Sequence, residues 1–374
     1  MSDSDLNRSP LHEAHVQLAA RMVPFAGWEM PVQYSGIVQE HQAVREKVGV
    51  FDISHMGQFI VEGKGAEAFL NRALTNNVSK LGVGDGQYTL LLNSQGGVID
   101  DLIVYRMSDR EYFLVVNASM IAVDEAHLRS LGFGNDVHFA NISSLTGGLA
   151  IQGPKSREVF SAVFGADAVF PEHNKILFSI EDEGILYLCG TGYTGEEGFE
   201  FFPPAATAVA WFEKIVAACR AAGGMPAGLG ARDTLRLEMG YPLNGSDLAP
   251  DKTPLQAGLG FFVDLTKETF MGRDALAEQK AAGLPTKLTG FRMVGTSPPP
   301  RAHYPVVHEG QVVGETCSAG LSPSLGYGIG MAYLPAAIAK AGIPIEIEVR
   351  GRRFAAETVK KPFYRKPEAQ SAKP

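Results

Sequence analysis

Two adjacent aspartates, Asp100 and Asp101, lie in the middle of an apolar run that extends from residue 96 to residue 105. The run opens with two glycines and follows another apolar segment, 88–93, so the two segments predict a β-hairpin with a tight turn. Side chains of a strand alternate between its faces, so Asp101 must share a face with Tyr105 while Asp100 points the other way. A carboxylate in such surroundings has to be hydrogen-bonded, paired or shifted in pKa, because otherwise it destabilises the fold. For either aspartate alone, the alternative is a structural role, accepting backbone N–H groups at the start of a strand.

Length and charge exclude several classes of protein. With 374 residues, the chain is too long for one ordinary core, which predicts two or three domains. Its apolar fraction of 45% and charged fraction of 20% are typical of globular proteins. The net charge of −8, with no basic run before the last few residues, argues against a nucleic-acid partner. No window approaches the roughly 18 apolar residues of a membrane span.

Cysteine usage and the first residues give two further expectations. Cys189, Cys219 and Cys317 are scattered, without CxxC or Cys/His spacing, so neither a zinc site nor a disulfide framework is predicted. The acidic, polar segment 1–5 lacks the layout of a signal or transit peptide, which predicts a cytoplasmic protein.

Apolar periodicity predicts a mixture of helices and strands. Because they alternate without the regular spacing of βαβ units, the predicted fold class is α+β. Residues 1–10 and 366–374 are expected to be disordered and 24–34 to be irregular. The helix patterns place Val38 on the same side as Val44 and Val48, and Val209 inward. Helices are predicted over 9–22, 37–48, 65–75, 120–131, 206–222 and 230–240. Besides the hairpin, strands are predicted over 58–62, 112–118, 137–143, 148–153, 174–180, 184–190 and 198–203.

The last quarter of the chain has a different character. Residues 296–300 (TSPPP) predict a boundary, because three prolines disfavour both helices and sheet pairing. Short strands separated by glycine turns are predicted over 304–307, 311–319, 326–333, 344–350 and 352–359. This pattern indicates an all-β unit, either a sandwich or a barrel.

The segment 190–195 matches the GxGxxG pattern of dinucleotide-binding proteins and follows a predicted strand. That function needs a helix to begin at the third glycine, whereas residues 196–203 have the composition of a strand. A dinucleotide site is therefore not predicted here, nor at the glycine-rich segment 326–330, which lies among the terminal strands.

A scattered set of polar and aromatic residues suits a flat heteroaromatic ligand with an aminopyrimidine edge. A carboxylate such as Glu200 can accept two adjacent N–H groups from such an edge, and tyrosines supply walls and hydroxyls. Each residue alone has a structural alternative; Asn117 suits a helix cap and Arg232 a solvated side chain. The set consists of Tyr88, Asp101, Tyr105, Asn117, Tyr193, Glu200 and Arg232. Together they have the general character of a pterin site.

Six segments, in order and spanning nearly the whole chain, resemble the T-proteins of the glycine cleavage system, a family of aminomethyltransferases. They are 25–34 (FAGWEMPVQY), 51–57 (FDISHMG), 88–105, 192–200 (GYTGEEGFE), 230–238 (GARDTLRLE) and 322–333 (SPSLGYGIGMAY). Each segment alone is unspecific, and the combination carries the resemblance.

The resemblance implies a three-domain cloverleaf around a central folate-binding hole, with two α+β domains and an all-β C-terminal domain resembling a barrel or jelly roll. The expected domains are 1–54 with 144–230, 55–143 with 231–285, and 286–374. The implied reaction moves the one-carbon unit from an aminomethyl group on the lipoylated H-protein to tetrahydrofolate, releasing ammonia and giving 5,10-methylenetetrahydrofolate. No metal, nicotinamide or flavin is expected, because the carbon arrives on the arm of the carrier.

Carried over position by position, the resemblance makes Asp101 the catalytic aspartate, which hydrogen-bonds the folate nitrogens and stabilises positive charge developing on the one-carbon unit. It places Tyr193 and Glu200 in the pterin-binding segment and makes Arg232 a substrate contact. The implied pocket-lining residues are Met56, Tyr88, Tyr105 and Asn117, with Arg365, where the family varies, as a further ligand contact.

Two other functions remain open from the sequence. A single-chain, folate-dependent demethylase of a small methylated substrate would share the fold and fit this length. A non-catalytic folate-binding module is the alternative from a different class, although Asp101 argues against it. Sarcosine and dimethylglycine dehydrogenases would need an additional flavin domain, and a related iron–sulfur repair protein would need a cysteine near 192–193.

Overall fold

The computed structural model describes residues 6–366 of the chain. These residues divide into two compact units: the first runs to Asp233 and includes Leu248–Leu284, and the second comprises Thr234–Asp247 and the chain from Pro285 onward. The partition into three domains expected from the sequence stays a prediction.

The described residues form short helices and many strands. No helix among them is both long and apolar enough to cross a membrane. The helices are α1 (His12–Gln17), α2 (Ile37–Glu46), α3 (Ala66–Ala73), α4 (Ile121–Ser130), α5 (Ser156–Phe164), α6 (Ala208–Ala221), α7 (Leu229–Glu238) and α8 (Arg273–Ala282). The strands are β1 (Asn7–Arg8), β2 (Arg21–Phe25), β3 (Trp28–Gln33), β4 (Gly49–Asp52), β5 (Gly57–Glu62), β6 (Gly86–Leu92), β7 (Val98–Ser108), β8 (Glu111–Val116), β9 (His138–Asn141), β10 (Leu149–Gln152), β11 (Ile176–Glu181), β12 (Gly184–Cys189), β13 (Gly198–Phe202), β14 (Met225–Pro226), β15 (Thr286–Met293), β16 (Pro305–His308), β17 (Gln311–Leu321), β18 (Gly328–Pro335), β19 (Pro344–Val349) and β20 (Arg352–Val359).

The first unit contains a small sheet with the strand order β1-β3-β2 and two larger sheets, with the orders β11-β12-β13-β10-β4-β14 and β6-β7-β8-β5-β9. Helices α5 and α6 pack on the six-stranded sheet, where Phe160, Phe199 and Phe212 are buried in one hydrophobic core. A separate core under the five-stranded sheet contains Phe59 and Phe69. This arrangement confirms the predicted α+β class.

The hairpin that carries the two aspartates is formed as predicted, by β6 and β7. The side chain of Asn93 shapes its turn, since Oδ1 accepts the N–H groups of Gln95 at 3.0 Å and Gly97 at 2.9 Å. Asp101 lies opposite Leu90 in the register. Asp100 is fully buried whereas Asp101 is partly exposed, as the alternation of strand faces requires.

The second unit contains a closed six-stranded barrel with the order β15-β18-β17-β16-β19-β20, which confirms the all-β interpretation. Strand β15 was not predicted, although it supplies the buried Phe291 to the barrel core. Because β15 precedes the prolines of 296–300, that segment is a connection between two barrel strands rather than the boundary of the barrel.

The structure corrects the sequence prediction near the N-terminus. The helix predicted over 9–22 ends at Gln17, and 24–34, expected to be irregular, is mostly paired as the antiparallel strands β2 and β3. Their two-residue turn, Ala26-Gly27, has positive φ at both positions, which is the I′ geometry of tight hairpins. Alanine rarely adopts that conformation, so the turn carries no usual sequence signal.

Predictions for the chain ends, for the exposure of two helical valines and for two helices also differ from the structure. Within the predicted disordered segment 1–10, Asn7–Arg8 pairs with β3, while residues 1–5 and 367–374 lie outside the described residues. Val209, predicted to point inward, is 38% exposed, and Val38 is 50% exposed although Val44 and Val48, placed on the same helix side, are buried. Helices α5 and α8 had no counterpart in the sequence prediction.

The glycine-rich segment after β12 leads into strand β13 rather than into a helix, which confirms the strand predicted over 198–203. Gly190, the first glycine of this segment, lies so close to another part of the backbone that a side chain would not fit. The N–H of Gly190 donates to the carbonyl of Lys175 at 2.8 Å, and a Cβ added at Gly190 would overlap the backbone carbonyl oxygen of Glu172.

We expect Gly190→Ala to lower the free energy of unfolding by about 1–3 kcal/mol, because the backbone must move to admit the methyl group. Urea unfolding measures the difference. The matched control is Gly320→Ala, whose new Cβ would lie at an ordinary 3.7 Å from Leu237. Equal stabilities of the two variants would contradict the close-packing explanation.

Candidate active site

Asp101 is held by side chains from the two strands that flank β7. Its Oδ2 accepts a hydrogen bond from the Tyr88 hydroxyl at 2.9 Å, and its Oδ1 accepts one from Asn117 Nδ2 at 3.0 Å. Tyr88 lies on β6 and Asn117 follows β8. Asn117 does not cap a helix through its side chain, as the structural alternative required, because that side chain binds the carboxylates instead. The result is a carboxylate that is oriented by two donors and still partly exposed.

The ionisation of Asp101 is shifted into the neutral range. Burial, and then the charge of neighbouring Asp100, raise the pKa of Asp101 to about 7, although the hydrogen bonds from Tyr88 and Asn117 oppose the shift. Burial and the charge of Asp101 raise the pKa of Tyr88 well above its ordinary value, so its hydroxyl keeps the proton that it donates. A carboxyl with a pKa near neutrality suits acid–base chemistry.

A second group of polar side chains is built around Glu200 on β13. Thr191 Oγ1 donates to Glu200 Oε2 at 2.6 Å, and the Tyr105 hydroxyl lies 2.6 Å from the same Thr191 oxygen. Burial raises the pKa of Glu200, while the Thr191 hydroxyl and the charge of Arg232 act in the opposite direction. Tyr105 is fully buried, so it supports Glu200 through Thr191 rather than lining an open surface.

Arg232, on α7, completes the second group. Its guanidinium carbon lies 4.9 Å from the ring centroid of Tyr193, a cation–π distance. Nη1 of Arg232 is buried and has no hydrogen-bond partner among the described residues. A buried donor without a partner is costly, and such a group in a native site is often completed by a ligand.

The two groups are linked electrostatically through their tyrosines, since the charge of Tyr193 contributes to the raised pKa of Tyr88. One side offers the Asp101 carboxylate, and the other offers the Glu200 carboxylate and the free N–H of Arg232. This combination fits a flat heterocycle that has N–H donors on one edge and an acceptor near them. Among the described residues, no group of three or more His, Cys, Asp or Glu side chains could hold a metal ion.

Two family models match this chain along most of its length. The model of the GCVT N-terminal domain matches residues 11–267, and that of the glycine cleavage T-protein C-terminal barrel domain matches 287–365. The chain belongs to the glycine cleavage T-protein family.

Individual T-protein relatives are similar over nearly the full length. An aminomethyltransferase from Deinococcus deserti is 45% identical over 98% of this chain and 99% of its own, and one from Desulfitobacterium hafniense is 41% identical over 97% and 99%. The crystal structure of the glycine cleavage system aminomethyltransferase T from Bartonella henselae superimposes with a TM-score of 0.90 at 34% identity, covering 96% of this chain and 98% of that one. These similarities confirm the resemblance recognised in the sequence.

Within this T-protein, most of the residues expected at the site lie together in the first unit. Met56 is partly buried and follows His55, which lies near Arg232. Arg365 is exposed and belongs to the second unit, so its expected ligand contact stays a prediction. The residues joined by the contacts above are Tyr88, Asp101, Tyr105, Asn117, Tyr193, Glu200 and Arg232.

Two members of the site were not predicted from the T-protein motifs. Thr191 links Tyr105 to Glu200, yet it lies in the segment considered only as a dinucleotide pattern. Burial, and then the charge of Arg232, lower the pKa of His55 to about 4, so this imidazole is neutral beside the guanidinium. His55 lies in the segment 51–57 used for the family resemblance and Thr191 immediately precedes the segment 192–200, but only the folded chain shows what they contact.

Proposed function

We propose that this T-protein is an aminomethyltransferase that moves the one-carbon unit from an aminomethyl group on a lipoyl carrier to tetrahydrofolate. The observation that carries the proposal is the partly exposed Asp101 carboxylate, which accepts hydrogen bonds from Tyr88 and Asn117. Tyr193, which lies by Arg232, acts electrostatically on that same Tyr88. Family membership and the aminomethyltransferase relatives support it.

The reaction is balanced without an oxidant or a metal. The C–S bond to the carrier and the C–N bond to the leaving amine break, and two C–N bonds to tetrahydrofolate form. Two protons leave the acceptor nitrogens, one ending on ammonia and the other on the carrier thiol. Tetrahydrofolate supplies the two nucleophilic nitrogens, so the protein has to bind it, orient it and manage charge and protons.

The residues divide these tasks. Glu200 accepts N–H groups from the edge of the pterin, and the unpartnered N–H of Arg232 donates a hydrogen bond to the pterin. The ring of Tyr193 covers the face of the pterin. Asp101 accepts a hydrogen bond from the reacting nitrogens, which raises their nucleophilicity. Its negative charge stabilises positive charge that develops on the transferred carbon.

The carrier that fits this chemistry is the lipoylated H-protein, because a swinging lipoyl arm can deliver the aminomethyl group to a recessed carboxylate. We expect ammonia release from aminomethyl-loaded H-protein to require both this protein and tetrahydrofolate. Unlipoylated H-protein is the matched control and should release none. Folate binding without ammonia release would contradict the transferase, and transfer of a methyl group from a small methylated substrate to tetrahydrofolate would favour a demethylase instead.

A further inference from the structure

A third aspartate lies behind the Asp100–Asp101 pair. Asp124, on α4, is fully buried, and its carboxyl meets that of Asp100, which is also fully buried. Among residues 6–366, no N–H or O–H group outside this pair reaches either oxygen of Asp124. A contact between two carboxyls is a hydrogen bond only when one of them carries a proton.

The surrounding donors indicate which carboxyl keeps the proton. Asp100 accepts from the backbone N–H of Asn117 at 3.1 Å and from Asn117 Nδ2 at 2.8 Å. Asp101 accepts from Asn117 Nδ2 and from Tyr88. These donors favour the anionic forms of Asp100 and Asp101 and oppose the rise in pKa that burial causes in both, whereas Asp124 has no donor to compensate a buried charge.

We propose that Asp124 is a positioning residue, which remains a neutral carboxylic acid and donates its proton to Asp100, so that Asp100 stays anionic and holds Asn117 against Asp101. The role of Asp101 in this proposal rests on the proposed function. Burial, and then the charge of Asp100, raise the pKa of Asp124 to about 11, in agreement with a proton held at neutral pH.

The anion on Asp100 has a consequence for Asp101. The groups that act on the three carboxyls include one another, the Tyr88 hydroxyl, the side-chain amide and backbone N–H of Asn117, the backbone at Asp101 and, through Tyr88, Tyr193. Because a like charge disfavours ionisation, anionic Asp100 helps to keep the pKa of Asp101 at about 7. If Asp101 acts as an anion, the kcat of the wild-type protein should fall as the pH drops below about 7.

The first test compares two variants of Asp124 in the full-length protein. Asp124→Asn keeps a neutral donor toward Asp100, so the acid limb of the kcat–pH profile should stay within a few tenths of a unit of the wild type. Asp124→Leu removes the donor, so Asp100 takes up the proton itself and no longer repels the Asp101 anion. We expect this limb to move about 1 unit or more to lower pH, the size of effect typical for a close charge.

A merely structural Asp124 would lower the amount of folded protein in both variants and leave the limb in place. An unmoved limb in folded Asp124→Leu, or equal shifts in the two variants, would therefore overturn the proposal. Circular dichroism establishes that each variant is folded.

The second test does not depend on turnover. At about pH 9, between the pKa values of Asp101 and Asp124, the infrared spectrum should contain the carbonyl band of a protonated carboxylic acid. The band should be lost in Asp124→Asn and retained in Asp101→Asn. Its absence from the wild type would overturn the proposal. Presence of the band without folate-dependent ammonia release would support the proton on Asp124 while overturning the transferase function.

Discussion

Asp101→Asn is expected to lower the kcat of folate-dependent ammonia release about 10²–10⁴-fold, the usual contribution of a positioned acid–base group. Asparagine has nearly the shape of aspartate, and its side-chain oxygen can still accept the hydrogen bond from Asn117 Nδ2. The geometry of the site should therefore be preserved. It lacks the negative charge that stabilises developing positive charge on the transferred carbon. The dissociation constant of tetrahydrofolate should change much less, because most of the binding is proposed to come from Glu200 and Arg232. Steady-state kinetics and calorimetric titration measure the two quantities.

A measurement of thermal stability distinguishes the expected loss of kcat in Asp101→Asn from a loss caused by unfolding. The pKa of Asp101 is raised in the folded state, so its ionisation costs stability once the pH exceeds the ordinary carboxyl pKa, and the cost grows until the pH reaches about 7. Asp101→Asn removes that cost, and its melting temperature at neutral pH should equal or exceed that of the wild type. Exposed Asp182→Asn is the control for both measurements. Unchanged kcat in Asp101→Asn would contradict the catalytic role.

Glu200→Gln should raise the dissociation constant of tetrahydrofolate about 100-fold. The Glu200 carboxylate is proposed to accept two N–H groups of the pterin, whereas the glutamine amide of the variant would present an NH₂ group to one of them. Hydrogen bonds to a charged group contribute about 1.5–3 kcal/mol, and 100-fold corresponds to about 2.7 kcal/mol. At saturating folate, kcat should remain within a few-fold of the wild type, because Glu200 is proposed to bind the pterin and not to take part in the chemistry.

Glu197→Gln is the matched control, since Glu197 lies in the same segment but is exposed and pairs with exposed Arg157. Its folate affinity and kcat should equal those of the wild type. A Glu200→Gln variant with unchanged affinity and reduced kcat would reverse the roles assigned to Glu200 and Asp101.

The elements that could be predicted from the sequence are those with strong local signals. The β6–β7 hairpin has a glycine turn and alternating faces, and the barrel strands have glycine turns at regular intervals. Strand β15 was missed because it lies before the prolines that resemble a boundary, and the β2–β3 hairpin was missed because its turn uses alanine at positive φ. Local propensity cannot report on pairing that tertiary contacts stabilise.

The sequence by itself determined that Asp101 is the unusual carboxylate of an α+β protein in the T-protein family, because a charge in an apolar strand and an ordered set of motifs are both local properties. Only the tertiary structure decided which groups act on that charge. Asn117 bridges Asp100 and Asp101, Thr191 joins Tyr105 to Glu200, and Asp124 reaches Asp100 from a helix. These contacts join residues from different strands, loops and helices, and their energies depend on burial and distance, which no spacing in the chain specifies.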